Sequence, residues 1–397
     1  MFENLEMRGL KSNIWKLYLF KIFFGFFVSL PIIVLFWKNN GLSMFQVMML
    51  QSLFSVAVIV LEVPSGYFAD RFGRKKTLVT SSIFATLGIA TYSIGTGFLT
   101  FLIAEIVWAV GVSLVSGADS AMFYDTLVEI GEESSYKERW GLASSLNMVS
   151  AAVAAILGGF IAEYSLRWTF FVQVVFMAGM IPTALALKEP KHHKEVVEEE
   201  TKTIKAVMED VWNFKKLRYL VLYGAFIYAG LQVAFWMYQP YFELTGLDIA
   251  AFGWAYAAFN LVSAGSSKYG YQIEEKLGKV KSLILMPILI VTSLLLMSNV
   301  LAVFSFGFIF LQQFVRGFEK PLISDYINEI ISSENRSTVL STKSLLGRIL
   351  QAASLPVFGL IIDFYSVPQA MIVLAITMVA GALAILLLLY SVSALDI

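Results

Sequence analysis

The chain has 397 residues, of which 58% are hydrophobic and 15% are charged, and its mean hydropathy is +0.74. Because a soluble domain carries about 25% charged residues, this composition is that of an integral membrane protein. The formal net charge of zero argues against a nucleic-acid partner. The absence of cysteine excludes disulfides and thiolate chemistry.

Metal and cofactor chemistry has little support in the sequence. The only two histidines, His192 and His193, are adjacent in a polar segment, and without further ligands nearby they are typical of solvated residues. The phosphate-binding pattern G-x-x-x-x-G-K-[ST] is missing, so direct ATP drive is unsupported. We therefore expect no metal, no cofactor and no enzymatic activity.

Apolar runs recur twelve times along the chain, and each is long enough to cross the hydrocarbon core as a helix of about 20 residues. Segments with turn-forming, helix-breaking residues separate these runs, such as Asn39-Asn40-Gly41 and Gly246-Leu247-Asp248. We number these predicted spans 1 to 12: 15–37, 45–66, 77–96, 99–122, 141–163, 168–187, 219–241, 248–268, 281–298, 300–320, 342–363 and 368–391. The pattern predicts an all-α polytopic membrane protein.

The orientation follows from the basic residues in the loops. The alternate loops on one side hold only Lys38 and Arg167, whereas the other side is rich in cations. The positive-inside rule places the rich side and both termini in the cytoplasm, as for a multi-pass protein of the cell membrane. The cations of the rich side are Arg71, Arg74, Lys75, Lys76, Lys137, Arg139, those of 188–218, Lys276, Lys279 and Lys281.

One long polar segment, 188–218, separates six spans from six. We therefore expect two six-helix bundles, 1–187 and 219–397, joined by a cytoplasmic linker. Within the linker, apolar residues from Ile204 to Leu217 recur at helical spacing between charges. This pattern predicts an amphipathic helix on the membrane surface, which serves either as a simple linker or as a regulatory element.

The two halves repeat one another. Three groups of residues in the first half recur in the same order in the second, which indicates an internal duplication. Two pseudo-symmetric six-helix bundles with a binding site between them, near the middle of the membrane, are typical of transporters. The first match, at an offset of 205, pairs Gly73-Arg74 with Gly278-Lys279. The other two, at an offset of 200, pair Gly117-Ala118-Asp119 and Asp125 with Gly317-Phe318-Glu319 and Asp325, and Gly159-Phe160-Ile161-Ala162-Glu163 with Gly359-Leu360-Ile361-Ile362-Asp363.

A charged turn lies between spans 2 and 3, from Leu61 to Lys76. Its glycines, Gly66 and Gly73, suit close helix approach and positive φ. Asp70 can cap a helix start or accept a hydrogen bond from Arg74. The spacing G-x-x-x-D-R-x-G-R-K resembles the signature loop of the major facilitator superfamily, a family of secondary transporters. With the helix count, the central linker and the duplication, the resemblance covers essentially the whole chain.

The resemblance implies roles for the charged residues of this loop. In the family, the acid and arginine lock span 2 against span 11 and the end of span 4 when the cytoplasmic side is closed. Asp125 would be the span 4 partner, although it could also be a loop residue without a partner. In the first half, the matching positions are Asp70, Arg74 and Asp125, and their partner on span 11 would be Lys343 or Arg348. In the second half, the matching positions are Glu275, Gly278, Lys279 and Asp325, and they would face Lys137 or Arg139. Glu62 is expected to join this network, and Arg71 fits either the network or a solvated loop.

Ionisable side chains inside the spans are functional candidates, because each costs roughly 3 kcal/mol or more in the membrane. The family lines its central cavity with spans 1, 4, 7 and 10, and five such residues fall on three of these: Lys21, Glu105, Asp119, Arg316 and Glu319. Glu105 and Asp119 are the first candidates for a proton carrier, and Arg316 is expected to pair with Glu319 or with an acid of the other half. Lys21 could instead snorkel to the interface.

Span 7 adds Gln232 and Trp236, on a face that fits either an apolar substrate or simple packing. Drug–proton antiporters of the family carry Gly-Pro-x-x-Gly-Gly on span 5; here Ala154-Ala155-Ile156-Leu157-Gly158-Gly159 keeps the glycines but lacks the proline.

The leading hypothesis is a monomeric, proton-coupled exporter of amphipathic or drug-like small molecules that works by alternating access. One alternative is an importer or facilitator of a polar or anionic metabolite, with Lys21 and Arg316 as anion-binding groups. Another is a transporter-like membrane receptor or a lipid-translocating protein. The coupling ion in the leading hypothesis is a proton, and another ion remains an alternative.

Overall fold

The computed structural model describes residues 2–191, 212–331 and 335–393, and all regular secondary structure within these ranges is helical. Short 3₁₀ turns lie at Leu30–Ile32, Glu133–Ser135 and Val303–Phe308. The α-helices are α1 Phe2–Gly25, α2 Ile33–Asn39, α3 Met44–Phe72, α4 Arg74–Ile94, α5 Gly97–Val115, α6 Ala118–Glu129, α7 Tyr136–Tyr164, α8 Leu166–Leu185, α9 Lys215–Thr245, α10 Ile249–Leu277, α11 Lys279–Asn299, α12 Ile309–Asn328, α13 Arg336–Phe364 and α14 Val367–Ser393.

These helices form the twelve predicted spans, because two spans consist of two helices each. Span 1 is α1 followed by α2, and span 4 is α5 followed by α6. Within the described residues, ten spans are long and apolar enough to cross a membrane. The other two are α10, whose apolar part is rich in small residues, and α12, which contains several charges. The predicted all-α polytopic fold is confirmed.

The connection between spans 2 and 3 is shorter than the sequence suggests. α3 continues through Pro64 to Phe72, so that Gly73 alone joins it to α4. Gly73 has a φ of +93°, and Gly278, its counterpart between α10 and α11, has a φ of +80°. Glycine adopts this region without steric cost, so in both halves a positive-φ glycine makes the one-residue connection between two spans. The expectation for Gly66 was wrong: it lies inside α3, and nothing stands within 4 Å of where its Cβ would be.

The chain divides into two compact units. Unit 1 comprises Met1–Leu42, Leu53–Glu195 and Ile249–Ala257, and unit 2 comprises Ser43–Ser52, Val196–Asp248 and Ala258–Ile397. The interior of unit 1 contains a cluster of stacked and tilted aromatic rings, including Phe36, Tyr92, Phe101 and Phe170. In unit 2, α9 is the most buried helix, and its large buried side chains include Tyr223, Tyr238, Tyr241 and Phe242.

The first residues of the central segment are fixed to unit 1. The buried Asn13 accepts a hydrogen bond from the N–H of Lys188 at 2.9 Å and donates to its carbonyl oxygen at 2.8 Å. The N–H of Lys191 donates to Glu129 at 2.6 Å. Most of the predicted amphipathic helix falls within 192–211, outside the described residues.

Candidate substrate and proton pathway

Span 4 is interrupted close to its buried acid, Asp119. α5 ends at Val115, Gly117 has a φ of +83°, and α6 starts at Ala118. Asp119 therefore lies in the first turn of α6, where backbone N–H groups lack intrahelical acceptors and the helix dipole attracts negative charge. Its Oδ1 accepts a hydrogen bond from the N–H of Ser120 at 2.7 Å, which orients Oδ2 toward another partner.

That partner is Lys21 of α1. The Nζ of Lys21 donates to Oδ2 of Asp119, and the two side chains are only 16% and 9% exposed. The ammonium group also lies 4.6 Å from the ring centroid of Trp140, a cation–π contact. Asn147 of α7 fixes this part of α1 by donating to the carbonyl oxygen of Lys21 at 2.9 Å. The structure thus brings two of the predicted residues together as a neutral, buried pair beside an aromatic ring.

Glu105, the other predicted proton carrier, lies in a different environment of unit 1. It is 4% exposed and accepts a hydrogen bond from the hydroxyl of Tyr92 at 2.6 Å. The ring of Tyr92 stacks on Phe101 and Phe170 at 5.3 and 5.4 Å, so the hydroxyl group that donates to Glu105 belongs to an aromatic cluster. Glu105 therefore does not belong to the Lys21–Asp119 site, and its role in proton transfer stays a prediction.

The second buried ion pair joins Glu319 of α12 to Lys343 of α13. Their Oε1 and Nζ atoms are 2.6 Å apart, and the residues are 5% and 8% exposed. Gly224 of α9 makes room for the pair, because a Cβ there would stand 3.0 Å from Cδ of Lys343 and 3.3 Å from Oε1 of Glu319. Asp119 and Glu319 are equivalent in the repeat, yet the first receives its lysine from span 1 and the second from span 11.

Arg316 does not pair with Glu319, contrary to expectation, because Lys343 already binds that carboxylate. Instead, its guanidinium group lies 5.5 Å from the ring centroid of Phe235, and the residue is exposed. Within the described part of the chain, Arg316 has no ion-pair partner. Of the predicted span 7 residues, Gln232 donates to the hydroxyl of Tyr228 at 3.1 Å, and Trp236 is buried.

The signature connection of unit 1 brings its three predicted residues together. Arg74 lies 2.9 Å from Asp70 and 3.8 Å from Asp125. A fourth residue, Glu189, accepts hydrogen bonds from the N–H groups of Arg74 and Lys75, both at 2.7 Å. Its carboxylate thereby covers the N-terminus of α4, where unpaired N–H groups favour an anion.

Two other residues predicted for this network lie outside it. Glu62 is exposed and has no ion pair among the described residues. Arg71 is also exposed, and it donates to the hydroxyl of Tyr67 at 2.6 Å rather than to an acid. Both lie on α3, the helix that also carries Asp70.

The second-half counterparts pair differently from the repeat-based expectation. Lys279 forms its ion pair with Glu329, and both side chains are about half exposed. Glu275 and Asp325 are exposed and have no ion pair among the described residues. Arg348, on α13, is half-buried and likewise has no ion pair in the described ranges.

Several contacts at these sites were not predicted. Glu189 lies two residues after the end of span 6, and its only sequence signal is an acid between Lys188 and Lys191 at the start of the linker. Trp140 was not singled out because it stands at the entry of span 5, where tryptophan is common as an interface anchor. The repeat identifies Asp119 and Glu319 as equivalents, but it does not predict lysines from different spans.

Within the described ranges, twelve helical spans, buried ion pairs inside them and a charged one-residue connection between spans 2 and 3 define a polytopic membrane transporter. The model of the Major Facilitator Superfamily matches residues 17–267, which is more than half of the chain. The chain belongs to this superfamily, as the signature residues suggested.

Relatives with curated names are distant. The uncharacterized MFS-type transporter YxaM of Bacillus subtilis (strain 168) is 22% identical over 365 residues, which cover 87% of this chain and 88% of YxaM. Multidrug resistance protein 2 of the same organism is 24% identical over 247 residues, 59% of each chain. Quinolone resistance protein NorA of Staphylococcus aureus is 20% identical over 185 residues, 46% of this chain and 47% of NorA.

Solved structures share the fold along almost the whole chain. A mutant of the nucleoside transporter NupG superimposes with a TM-score of 0.83 at 11% identity and covers 96% of this chain and 99% of its own. A bacterial homolog of the human lysosomal transporter Spinster superimposes with a TM-score of 0.75 at 15% identity, covering 96% and 97%. At such identities the similarity shows the fold alone.

Proposed function

We propose that this transporter is a proton-coupled exporter of amphipathic or drug-like compounds in the cell membrane and that it works by alternating access. The observation that carries the proposal is the buried Lys21–Asp119 pair beside Trp140. The partial matches to Multidrug resistance protein 2 and NorA support a drug-like substrate.

Proton coupling follows from competition at one atom, Oδ2 of Asp119. While Lys21 donates to this oxygen, the two charges balance. When a proton binds there, Asp119 becomes neutral and Lys21 loses its counter-ion. An uncompensated buried charge costs several kcal/mol, so protonation favours a state in which Lys21 reaches water or another acid. This difference between two states is what a conformational switch requires.

The aromatic side chains beside the pair are of the kind that binds planar or cationic compounds. The ring of Trp140 stacks on Tyr136 at 6.1 Å and lies edge-on to Phe123 at 5.9 Å. Flat apolar rings bind aromatic compounds, and the ring that now holds the ammonium group of Lys21 could hold a substrate cation instead. Such a substrate and the proton would then both act on the Lys21–Asp119 pair.

A second candidate function is transport of a polar or anionic metabolite. Arg316 favours it, because this exposed cation has no ion-pair partner among the described residues. The guanidinium group of Arg316 lies over the ring of Phe235. Phe235 follows Gln232 by about one helical turn on α9, so the cation, the ring and the amide would face the same ligand.

The test uses purified protein in liposomes that carry a pH gradient, with a panel of cationic drugs, sugars, amino acids and organic anions. We expect wild type to accumulate a cationic drug, and Asp119→Asn to lose this accumulation while it still exchanges labelled for unlabelled drug across the membrane. Glu133→Gln, which removes an exposed acid outside the predicted sites, serves as the control and should behave as wild type. Accumulation by Asp119→Asn at the wild-type level would refute coupling through this acid. Transport of an anion that depends on Arg316 and not on Asp119 would establish the second function.

A further inference from the structure

Unit 2 contains a groove of about 930 Å³ between α11, α14 and the beginning of α9. Most of its wall is apolar and includes Leu220, Leu283, Ile288 and Leu383. Ile288 and Leu383 are 52% and 55% exposed, which in a membrane-spanning helix places them against lipid. The groove is therefore a surface feature of the spans, apart from the buried ion pairs.

One end of the groove is polar and basic. Lys216, Lys279 and Glu329 line it, together with the hydroxyl-bearing Tyr326 and Tyr390. Lys279 is paired with Glu329, whereas Lys216 has no ion-pair partner among the described residues. Among the residues that line this end, two cations therefore stand against one acid. The distribution of basic residues assigns it to the cytoplasmic side of the membrane.

The same end also contains the N-terminus of α11. At the equivalent place in unit 1, the N-terminus of α4, the carboxylate of Glu189 accepts two backbone N–H groups at 2.7 Å each. Among the described residues, no side chain accepts from the first-turn N–H groups of α11. An anion bound here would make the contacts that Glu189 makes in unit 1.

The length of the groove corresponds to one leaflet of the bilayer. Its lining residues on α11 run from Lys279 to Thr292. At about 1.5 Å per residue this stretch is about 20 Å long, and half of the hydrocarbon core is about 15 Å thick. A ligand that fills the groove thus has a negatively charged head at the cytoplasmic surface and an apolar chain that extends toward the middle of the membrane.

We propose that the groove binds an anionic phospholipid of the cytoplasmic leaflet. The phosphate lies at Lys216 and the first turn of α11, and an acyl chain lies along Leu283, Ile288 and Leu383. Basic sites between spans on the cytoplasmic side are suited to such headgroups. The lipid is a bound ligand and not the transported substrate, so the inference is independent of the proposed proton coupling.

The test is native mass spectrometry of the purified full-length protein, titrated in detergent with phosphatidylglycerol or phosphatidylcholine. We expect one tightly retained phosphatidylglycerol molecule and weaker retention of phosphatidylcholine. Lys216→Gln should weaken phosphatidylglycerol binding about fivefold, as for the loss of one cation near an anionic lipid. Ile288→Trp should fill the groove and abolish retention, and Leu383→Trp is a second variant with the same expected effect.

Matched controls come from the repeat. Lys76→Gln and Ile83→Trp alter residues of α4 that are equivalent to Lys281 and Ile288 at the offset of 205; Ile83 is 41% exposed. Both should retain phosphatidylglycerol as wild type does. Equal retention in all variants, or equal binding of the two lipids, would overturn the proposal. If glycerol phosphate displaces the lipid equally from wild type and from Ile288→Trp, the site binds only an anion. If tetraphenylphosphonium displaces the lipid one to one, the groove is a substrate site. Either result contradicts the proposal.

Discussion

Removal of either charge of the Glu319–Lys343 pair should destabilise unit 2 strongly, whereas removal of both should not. The two residues are 5% and 8% exposed and their charged atoms are 2.6 Å apart. Glu319→Gln leaves a lysine without its counter-ion in the interior, and Lys343→Met leaves a carboxylate in the same position. Both variants should be less stable than the protein with the intact pair, because the remaining charge stays desolvated.

The expected magnitude follows from burial. Breaking a buried pair by removing one partner costs about 3–5 kcal/mol. In a unit of this size, 1 kcal/mol corresponds to about 2–4 °C, so each single variant should lower the melting temperature by about 10 °C. The double variant Glu319→Gln/Lys343→Met has no isolated charge and should recover most of this loss.

The assay is thermal unfolding of the purified protein in detergent, followed by the amount of monodisperse protein that survives heating. Lys279→Gln is the control, because its pair with Glu329 is about half exposed and should contribute less than about 1 kcal/mol. Single variants that melt within about 2 °C of wild type would refute the reasoning. A double variant whose melting temperature falls by the sum of the two single decreases would refute the reasoning as well.

Three further predictions test separate contacts. Glu189→Gln should cost about 1 kcal/mol in thermal stability, because the amide has one oxygen for the two N–H groups of α4, while Glu133→Gln at an exposed acid should be neutral. Gly224→Ala should cost about 1–3 kcal/mol, because its Cβ would crowd atoms at 2.9–3.3 Å, whereas Gly265→Ala, with nothing within 4 Å, should be tolerated. Trp140→Leu should raise the KM for cationic drugs about 5–30-fold by removing the cation–π ring, with little change for neutral substrates; equal changes for both would contradict this role.

Much of the fold was predictable because the membrane constrains the sequence strongly. Backbone groups in hydrocarbon must be hydrogen-bonded internally, so each apolar run of about 20 residues predicts a helix. The repeat then predicts that Gly73 and Gly278 are equivalent, and both have positive φ. The resemblance to the family's signature loop also implies the approach of Arg74 to Asp70 and Asp125, and the distances are 2.9 and 3.8 Å.

The pairing of buried charges was not predictable in the same way. It depends on which helices lie side by side and on side-chain length, and neither is encoded in local spacing. The repeat makes Asp119 and Glu319 equivalent, but their lysines, Lys21 and Lys343, come from spans 1 and 11. The extent of α3 was also missed, because Pro64 and the charges after it are typical of a loop, whereas the helix continues to Phe72.

The most direct test of the account is substrate-driven proton movement at Asp119. Protein is reconstituted in liposomes with a trapped pH dye, and a cationic drug that wild type transports is added without an imposed pH gradient. The account predicts a pH change of the lumen with wild type and none with Asp119→Asn, even though the variant still exchanges labelled drug. A pH change of wild-type size in Asp119→Asn, or drug transport by wild type without any proton movement, would contradict proton coupling through the Lys21–Asp119 pair.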